Sequence, residues 1–221
     1  MKIAGEFTFA APRPLVWDAL QDPRVLASVL PGCESLELVG DHEYEGKLKV
    51  KIGPVQGDYV GRVTLTDLDA PQAFRMAVDG RGQQGWVKAT ASIALAEEGA
   101  TTRITYDSDA QVGGRIASVG QRLIETSARA IVRQSLEGLD TTMRARAETA
   151  EHVVAQGGTV EMAVAAAAEV APPEEARTTE AQVAASVARE VAKDLGPVIA
   201  RRAAIFVAVA AIGWLLWSRL R

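Results

Sequence analysis

Reactive side chains are scarce in this chain of 221 residues. There is one cysteine, Cys33, so no intrachain disulfide can form, which suits a reducing compartment. Cys33 follows Pro31-Gly32 and has no base near it in sequence, so nothing marks it as a nucleophile. There are two histidines, His42 and His152, and neither has Cys, His or carboxylate neighbours at ligand spacing. No metal site and no catalytic residue are expected. The formal net charge is −4, so no basic excess points to nucleic acid. The N-terminus, MKIAGEFTFAAPRP, lacks the apolar run of a secretory signal, so the bulk of the protein is expected on the cytoplasmic side. Aromatic residues make up only 5%, which makes the position of each one informative.

What is present is strongly patterned. Ile3, Gly5, Phe7 and Phe9 alternate with polar residues, as in a half-buried strand. Leu15 to Leu20 and Asp22-Pro23 to Leu30 read as two short helices, the second stopped by Pro31-Gly32. From Cys33 to Val112 the period is two almost throughout. Leu36 and Leu38 sit in one strand. Tyr44, Gly46, Leu48, Val50 and Ile52 form the next, followed by Val55 to Leu65, Phe74 to Val78, Val87 to Leu95 and Ile104 to Val112. One apolar face and one polar face, joined by short turns, describe a one-sided antiparallel sheet of about seven strands. Gly80 to Gly85 superficially fits a nucleotide fingerprint, but it joins two strands and reads as a hairpin loop. Asp107 and Asp109 fall on the outer side of the last strand, where exposed carboxylates are the default.

Gly113 to Met143 reads as one long amphipathic helix, the only sizeable cover for the sheet. Ile116, Val119, Leu123, Ile131, Leu139 and Met143 fall on one side, with Gly120, Ser127, Ala130 and Ser135 on or beside that stripe. Small residues there, and Gly46, Gly57, Gly61, Ala89 and Ala91 on the sheet, leave two readings open: close packing, or an unfilled interior with room for a guest. Arg115, Arg122, Arg129 and Arg133 share the opposite side. They form either a solvated face or a docking surface for an acidic partner or anionic lipid.

Three regions follow: a folded domain over 1–146, an Ala- and Glu-rich flexible linker with partial helix over 147–196, and a C-terminal segment over 197–221. Ala203 to Trp217 carries no charge, Arg201, Arg202, Arg219 and Arg221 flank it, and Trp214 and Trp217 lie near its end. Ile205 and Phe206 stand for its apolar body. A membrane anchor is expected, which puts the protein on the cytoplasmic face of the cell membrane with the lipid bilayer as a partner. As a helix, the uncharged stretch rises about 22 Å against a hydrocarbon core of about 30 Å, so spanning and interfacial placement both stay open.

The order strand, two short helices, six strands, long helix resembles the helix-grip fold of the START/Bet v 1-like (SRPBCC) superfamily. Closer still, PRPLVWDALQDPRVLASVLPGCESLE, KVKIGPVQGDYVGRVTL and YDSDAQVGGRIASVGQRLI are similar, in this order and spacing, to the family of carbon monoxide dehydrogenase G subunits. The likeness covers about residues 1–145. It implies an α+β helix-grip fold, a curved seven-stranded antiparallel sheet wrapped on a long C-terminal helix with an apolar cavity between them. It also implies association with a molybdenum-containing carbon monoxide dehydrogenase or a related hydroxylase. It does not imply that this chain oxidises anything, since cysteine clusters for iron–sulfur centres and flavin or molybdopterin signatures are missing.

The expected function is therefore that of a membrane-tethered binding protein, not an enzyme. It would hold a respiratory quinone, menaquinone or ubiquinone, with no covalent cofactor, and link the dehydrogenase to the membrane quinone pool. Alternation places the expected ligand-binding residues at Phe7, Phe9, Tyr44, Leu48, Tyr59, Phe74, Met76, Tyr106, Leu123, Ser127 and Ile131, with Leu26, Leu30 and Pro31 at the entrance. Tyrosine hydroxyls are the groups available to quinone carbonyls. One alternative is a recruitment or assembly factor that docks the dehydrogenase through Arg122, Arg129 and Arg133 without ligand transfer. A second is a cyclase- or hydratase-type enzyme, which needs an acid or base inside the cavity where only tyrosines are offered.

Overall fold

In the computed structural model, residues 1–159, Met162, Ala166, Ala167 and Val170 are described. Strand β1 (Lys2–Phe9) leads into two short helices, α1 (Arg13–Ala19) and α2 (Pro23–Val29). Six strands follow: β2 (Cys33–Gly40), β3 (Glu43–Ile52), β4 (Val55–Asp69), β5 (Ala73–Gly82), β6 (Gly85–Glu98) and β7 (Thr101–Gly113). A short 3-10 helix (Arg115–Val119) precedes the long helix α3 (Gln121–Ala155). All seven strands form one antiparallel sheet in the order β1-β7-β6-β5-β4-β3-β2. This is the expected α+β helix-grip arrangement.

Each element follows from local chemistry. Asp22 caps α2: its carboxylate accepts the Arg24 N–H at 2.9 Å, and Pro23 supplies a preset first helical residue. In β3 the inward Tyr44, Gly46 and Ile52 are buried while Glu45, Lys47, Lys49 and Lys51 are exposed, the alternation of a sheet covered on one side. The long helix begins later than its periodicity suggests. Gly120, at φ 93 and ψ 142, breaks the chain, so Ile116 and Val119 sit on the 3-10 turn and not on α3. Both helix types bring residues three apart to one side, so the apolar spacing alone does not register the break. At its other end α3 runs on to Ala155, into the first residues of the stretch expected to be linker. Leu38 is 57% exposed on β2, an edge strand of the sheet.

The apolar interior divides in two. The larger cluster packs Phe9, Val16, Trp17, Val25, Phe74, Leu95 and Ile104 against Leu136, Leu139 and Met143 of α3. Trp17 stands edge-on to Phe74, ring centres 5.6 Å apart at 84°. Each fully buried aliphatic or aromatic side chain there contributes about 1.5–3 kcal/mol relative to exposure. The smaller cluster lies at the other end of the strands, with Ile52, Tyr59 and Ile116 supported by Val50, Val55, Val112, Val119 and Leu123. The expected anchor residues, Ile205, Phe206, Trp214 and Trp217, and most of the linker beyond residue 159 lie outside the described residues. No helix among the described residues is long and apolar enough to cross a membrane.

Candidate functional site

Glycines line part of the sheet's inner face, and at Gly46 the Leu36 side chain and Ser35 O lie 3.0 Å from where a Cβ would stand. Gly46 pairs with Gly61 and Gly61 with Gly80, so three glycines lie side by side across β3, β4 and β5 on the inner face. A Cβ placed on Gly61 would meet only main-chain atoms, Asp79 O and Gly80 Cα, both at 3.7 Å. At Gly80 the nearest atom is Val87 O at 3.8 Å. Around this band Val63, Met76, Val78, Val87 and Ala89 point inward from central strands, yet all are only half-buried. A closely packed interior seals such positions.

The Tyr59 hydroxyl, Ser127 Oγ and Gln134 Oε1 are buried and have no hydrogen-bond partner among the described residues. Ser127 is 1% exposed. Ser127, Ile131 and Gln134 follow each other by four and three residues, on one side of α3. Buried polar groups normally find a partner, and leaving one without costs about 1–3 kcal/mol. Burial pushes the Tyr59 phenol above its usual pKa, so it keeps its proton and remains a donor. Two buried hydroxyls and an amide oxygen without partners among the described residues are groups able to hydrogen-bond carbonyl or hydroxyl groups of a lipophilic guest. They supply no general base.

The expected ligand-binding residues do not all meet at this glycine seam. Tyr59 and Leu123 belong to the smaller cluster, Met76 packs against the larger one, Leu48 and Ile131 are half-buried and Ser127 is buried. Phe9 and Phe74 are locked into the larger cluster. Phe7 is half-buried, its ring 5.0 Å from that of Phe9. Tyr44 is committed elsewhere: its hydroxyl donates to the Gln21 carbonyl at 3.0 Å. Tyr106 is half-buried, with its ring folded over Gly5 of the edge strand. At the expected entrance, Leu26 and Leu30 are half-buried and Pro31 is buried. The Lys49 N–H donates to Gly32 O at 2.7 Å and ties this segment to β3. Gln134 was not among the expected residues, although its spacing from Ser127 and Ile131 is the signal that finds it.

Arg122, Arg129 and Arg133 are all exposed, and Arg129 Nη1 donates to Ala4 O at 3.5 Å. Cys33 is half-buried; burial foremost, with the Glu34 charge adding, raises its thiol pKa despite the Sγ–H contact to Ser35 O at 3.5 Å. Its thiolate is therefore scarce near neutral pH. No group of three or more His, Cys, Asp or Glu suited to a metal forms among the described residues. A groove of about 680 Å³ lies across the outer face of the sheet, lined by Ala4, Asp67, Arg75, Ser92, Ala94 and Asp107 among others. Its charged groups are solvated surface, with Arg75 paired to Asp67 at 3.7 Å, so the inner seam is the better candidate for an apolar ligand.

The model of the CoxG family, the G subunit of carbon monoxide dehydrogenase, matches residues 5–144. A conserved protein from Geobacillus kaustophilus is 30% identical, with a TM-score of 0.63 over 65% of this chain and 95% of its own. TTHA0849 from Thermus thermophilus is 17% identical, with a TM-score of 0.50 over 63% of this chain and 94% of its own. The Zhui aromatase/cyclase from Streptomyces sp. R1128 is 17% identical, with a TM-score of 0.50 over 72% of this chain and 99% of its own. These last two likenesses concern the fold alone. No curated protein matches the chain.

Proposed function

Because the chain belongs to the CoxG family of carbon monoxide dehydrogenase G subunits, we propose that it is a hydrophobic-ligand-binding protein whose guest is a respiratory quinone, menaquinone or ubiquinone. The observations that support this reading are a glycine band across β3, β4 and β5 and the buried hydroxyls of Tyr59 and Ser127, which have no hydrogen-bond partner among the described residues. A quinone is an apolar ring and chain with two carbonyl acceptors. Tyr59 O–H and Ser127 O–H are donors of the kind those carbonyls need, and the half-buried Val78, Val87 and Ala89 suit the isoprenoid chain. Binding such a guest relieves the cost of the unpartnered hydroxyls, so protein and ligand each gain.

The role follows from the chemistry of the partners. The family name associates its members with a carbon monoxide dehydrogenase, here taken as a molybdenum-containing enzyme or a related hydroxylase. Electrons from a water-soluble dehydrogenase must reach quinone dissolved in a bilayer. A domain tethered through 197–221 would collect quinone there and present it to the enzyme, since tethering raises the effective concentration without demanding tight binding. The protein positions a ligand in this scheme and performs no chemistry on it.

The test is mass spectrometry of organic extracts from the full-length protein, purified in detergent from its own host. A quinone at near-equal molar ratio to protein is expected. Extracts holding only phospholipid, or nothing, would remove the quinone assignment.

A further inference from the structure

The hairpins alternate between the two ends of the sheet, and charge sorts with them. At one end lie the β2–β3, β4–β5 and β6–β7 turns, with exposed Asp41, Asp67, Asp69, Glu97 and Glu98 outnumbering exposed Arg75 and Arg103, which pair with Asp67 and Glu98. At the other lie the β3–β4 turn at Gly53, the β5–β6 turn at Gln83 and Gln84, and the 3-10 turn after β7. This second end is the end of the smaller cluster and carries exposed Lys51, Arg81, Lys88 and Arg115. Arg81 and Lys88 share Asp79, at 3.3 and 3.6 Å. Lys51 and Arg115 enter no ion pair among the described residues. The exposed acids at this end also include Asp58 on β4 and Glu34 near the start of β2, the latter paired with Lys49 at 3.4 Å.

The same end also exposes apolar surface. Across the outer face, register places Lys47, Val60, Arg81 and Trp86 in one row, cation and apolar residue alternating. Val60 is 47% and Trp86 40% exposed, and the indole lies over Gly113. An exposed tryptophan set among cations is the composition that seats at a bilayer interface, where the ring enters the headgroup layer and the cations meet lipid phosphates.

We propose that this basic, tryptophan-bearing end of the domain docks on an anionic membrane surface, so that the Gly53, Gln84 and Arg115 turns face the lipid and the acidic end faces the cytoplasm. This goes beyond the ligand reading above and stands for any guest. It sets an orientation: the smaller cluster, with Tyr59 and Leu123, lies nearest the bilayer, and an incoming lipophile crosses a short distance between lipid and seam. The charge asymmetry selects lipid over an acidic protein because the apolar residues are scattered singly along the row and form no pocket for a partner side chain.

The test uses the full chain with Trp214→Phe and Trp217→Phe, which leaves Trp17 and Trp86. Trp17 is buried in the larger cluster, so bilayer quenchers do not reach it. The protein is mixed with vesicles whose acyl chains are brominated, either phosphatidylcholine alone or with about one third phosphatidylglycerol. Anionic vesicles are expected to quench the emission that Trp86→Phe removes, and neutral vesicles to leave it. Lys51→Gln with Arg115→Gln is expected to raise the vesicle concentration for half-quenching about 25-fold, at roughly fivefold per cation. Absence of Trp86 quenching on anionic vesicles would overturn the proposal, and so would equal quenching on neutral ones. If an acidic protein instead shields Trp86 from acrylamide while bilayers do not quench it, the surface passes to that protein. The readout involves no bound lipophile, so failure of the quinone assignment leaves this result intact.

Discussion

Arg146, near the end of the long helix, donates from Nη2 to Asp22 Oδ2 at 3.4 Å and joins residues 124 positions apart. Both side chains are largely buried, at 9% and 16% exposure. The same carboxylate accepts the Arg24 N–H and caps α2. One group thus starts the second short helix and fastens it to α3, so the cover over the larger cluster closes as a unit.

The charge and the cap can be separated by substitution. Asp22→Ala removes both and should cost roughly 2–4 kcal/mol, while Asp22→Asn keeps a good cap and should cost less. Burial by itself raises the Asp22 pKa. Hydrogen bonds from the Arg24 side chain and N–H, the Arg24 charge and Arg146 outweigh it and hold the group below its usual 3.8. A depressed carboxylate adds stability that is present above its unfolded pKa and lost as pH falls through the folded value. Urea denaturation from pH 6 downward should therefore show the wild type losing this stability below about pH 4, and Asp22→Asn should show a shallower decline. Parallel curves for the two proteins would show that the pair contributes nothing.

The unpartnered hydroxyls predict opposite effects on empty and loaded protein. Ser127→Ala removes a buried group that has no partner, so the delipidated protein should gain about 1 kcal/mol, or roughly 2–4 °C in melting temperature. Tyr59→Phe should behave likewise. Both variants should retain less extracted lipophile than the wild type. Calorimetry before and after delipidation checks this, and a loss of stability in the empty protein would mean that each hydroxyl has a partner.

The turn into α3 depends on one residue. Gly120 at φ 93 lies where side chains other than glycine are strained, and no described atom stands within 4 Å of where a Cβ would fall. The penalty for Gly120→Ala is thus conformational and should be about 1–3 kcal/mol. Denaturant titration should show it as a lower midpoint with unchanged slope. An unchanged midpoint would mean that the 3-10 turn and α3 fuse without cost.

How far the sequence could be read depended on the range of each interaction. Period-two alternation marked all of the strands because inward and outward positions differ locally in polarity, as Tyr44 to Ile52 illustrate. The Gly120 break was hidden because Ile116, Val119 and Leu123 keep helical spacing across it. At the candidate site, Tyr59 and Ser127 were legible as inward positions. That Tyr44 spends its hydroxyl on Gln21 was not, since this contact depends on how α1 and α2 fold back on the sheet. The Asp22–Arg146 link was hidden for the same reason.

The glycine band gives the most direct test of an open seam. Gly61 has ordinary strand dihedrals, and a Cβ there would meet only Asp79 O and Gly80 Cα at ordinary contact distance. In a filled interior, Gly61→Leu would overpack and cost about 1–3 kcal/mol. With the seam open, the leucine occupies empty space and adds strand propensity, so the melting temperature should hold or rise while the bound lipophile falls. Gly5→Leu is the contrasting variant: a Cβ at Gly5 collides with the Tyr106 ring, so this substitution should destabilise. The pair separates cavity filling from the general effect of adding a side chain to a strand. Equal destabilisation by both would mean that the inner face at Gly61 is sealed, and the ligand would then have to lie elsewhere.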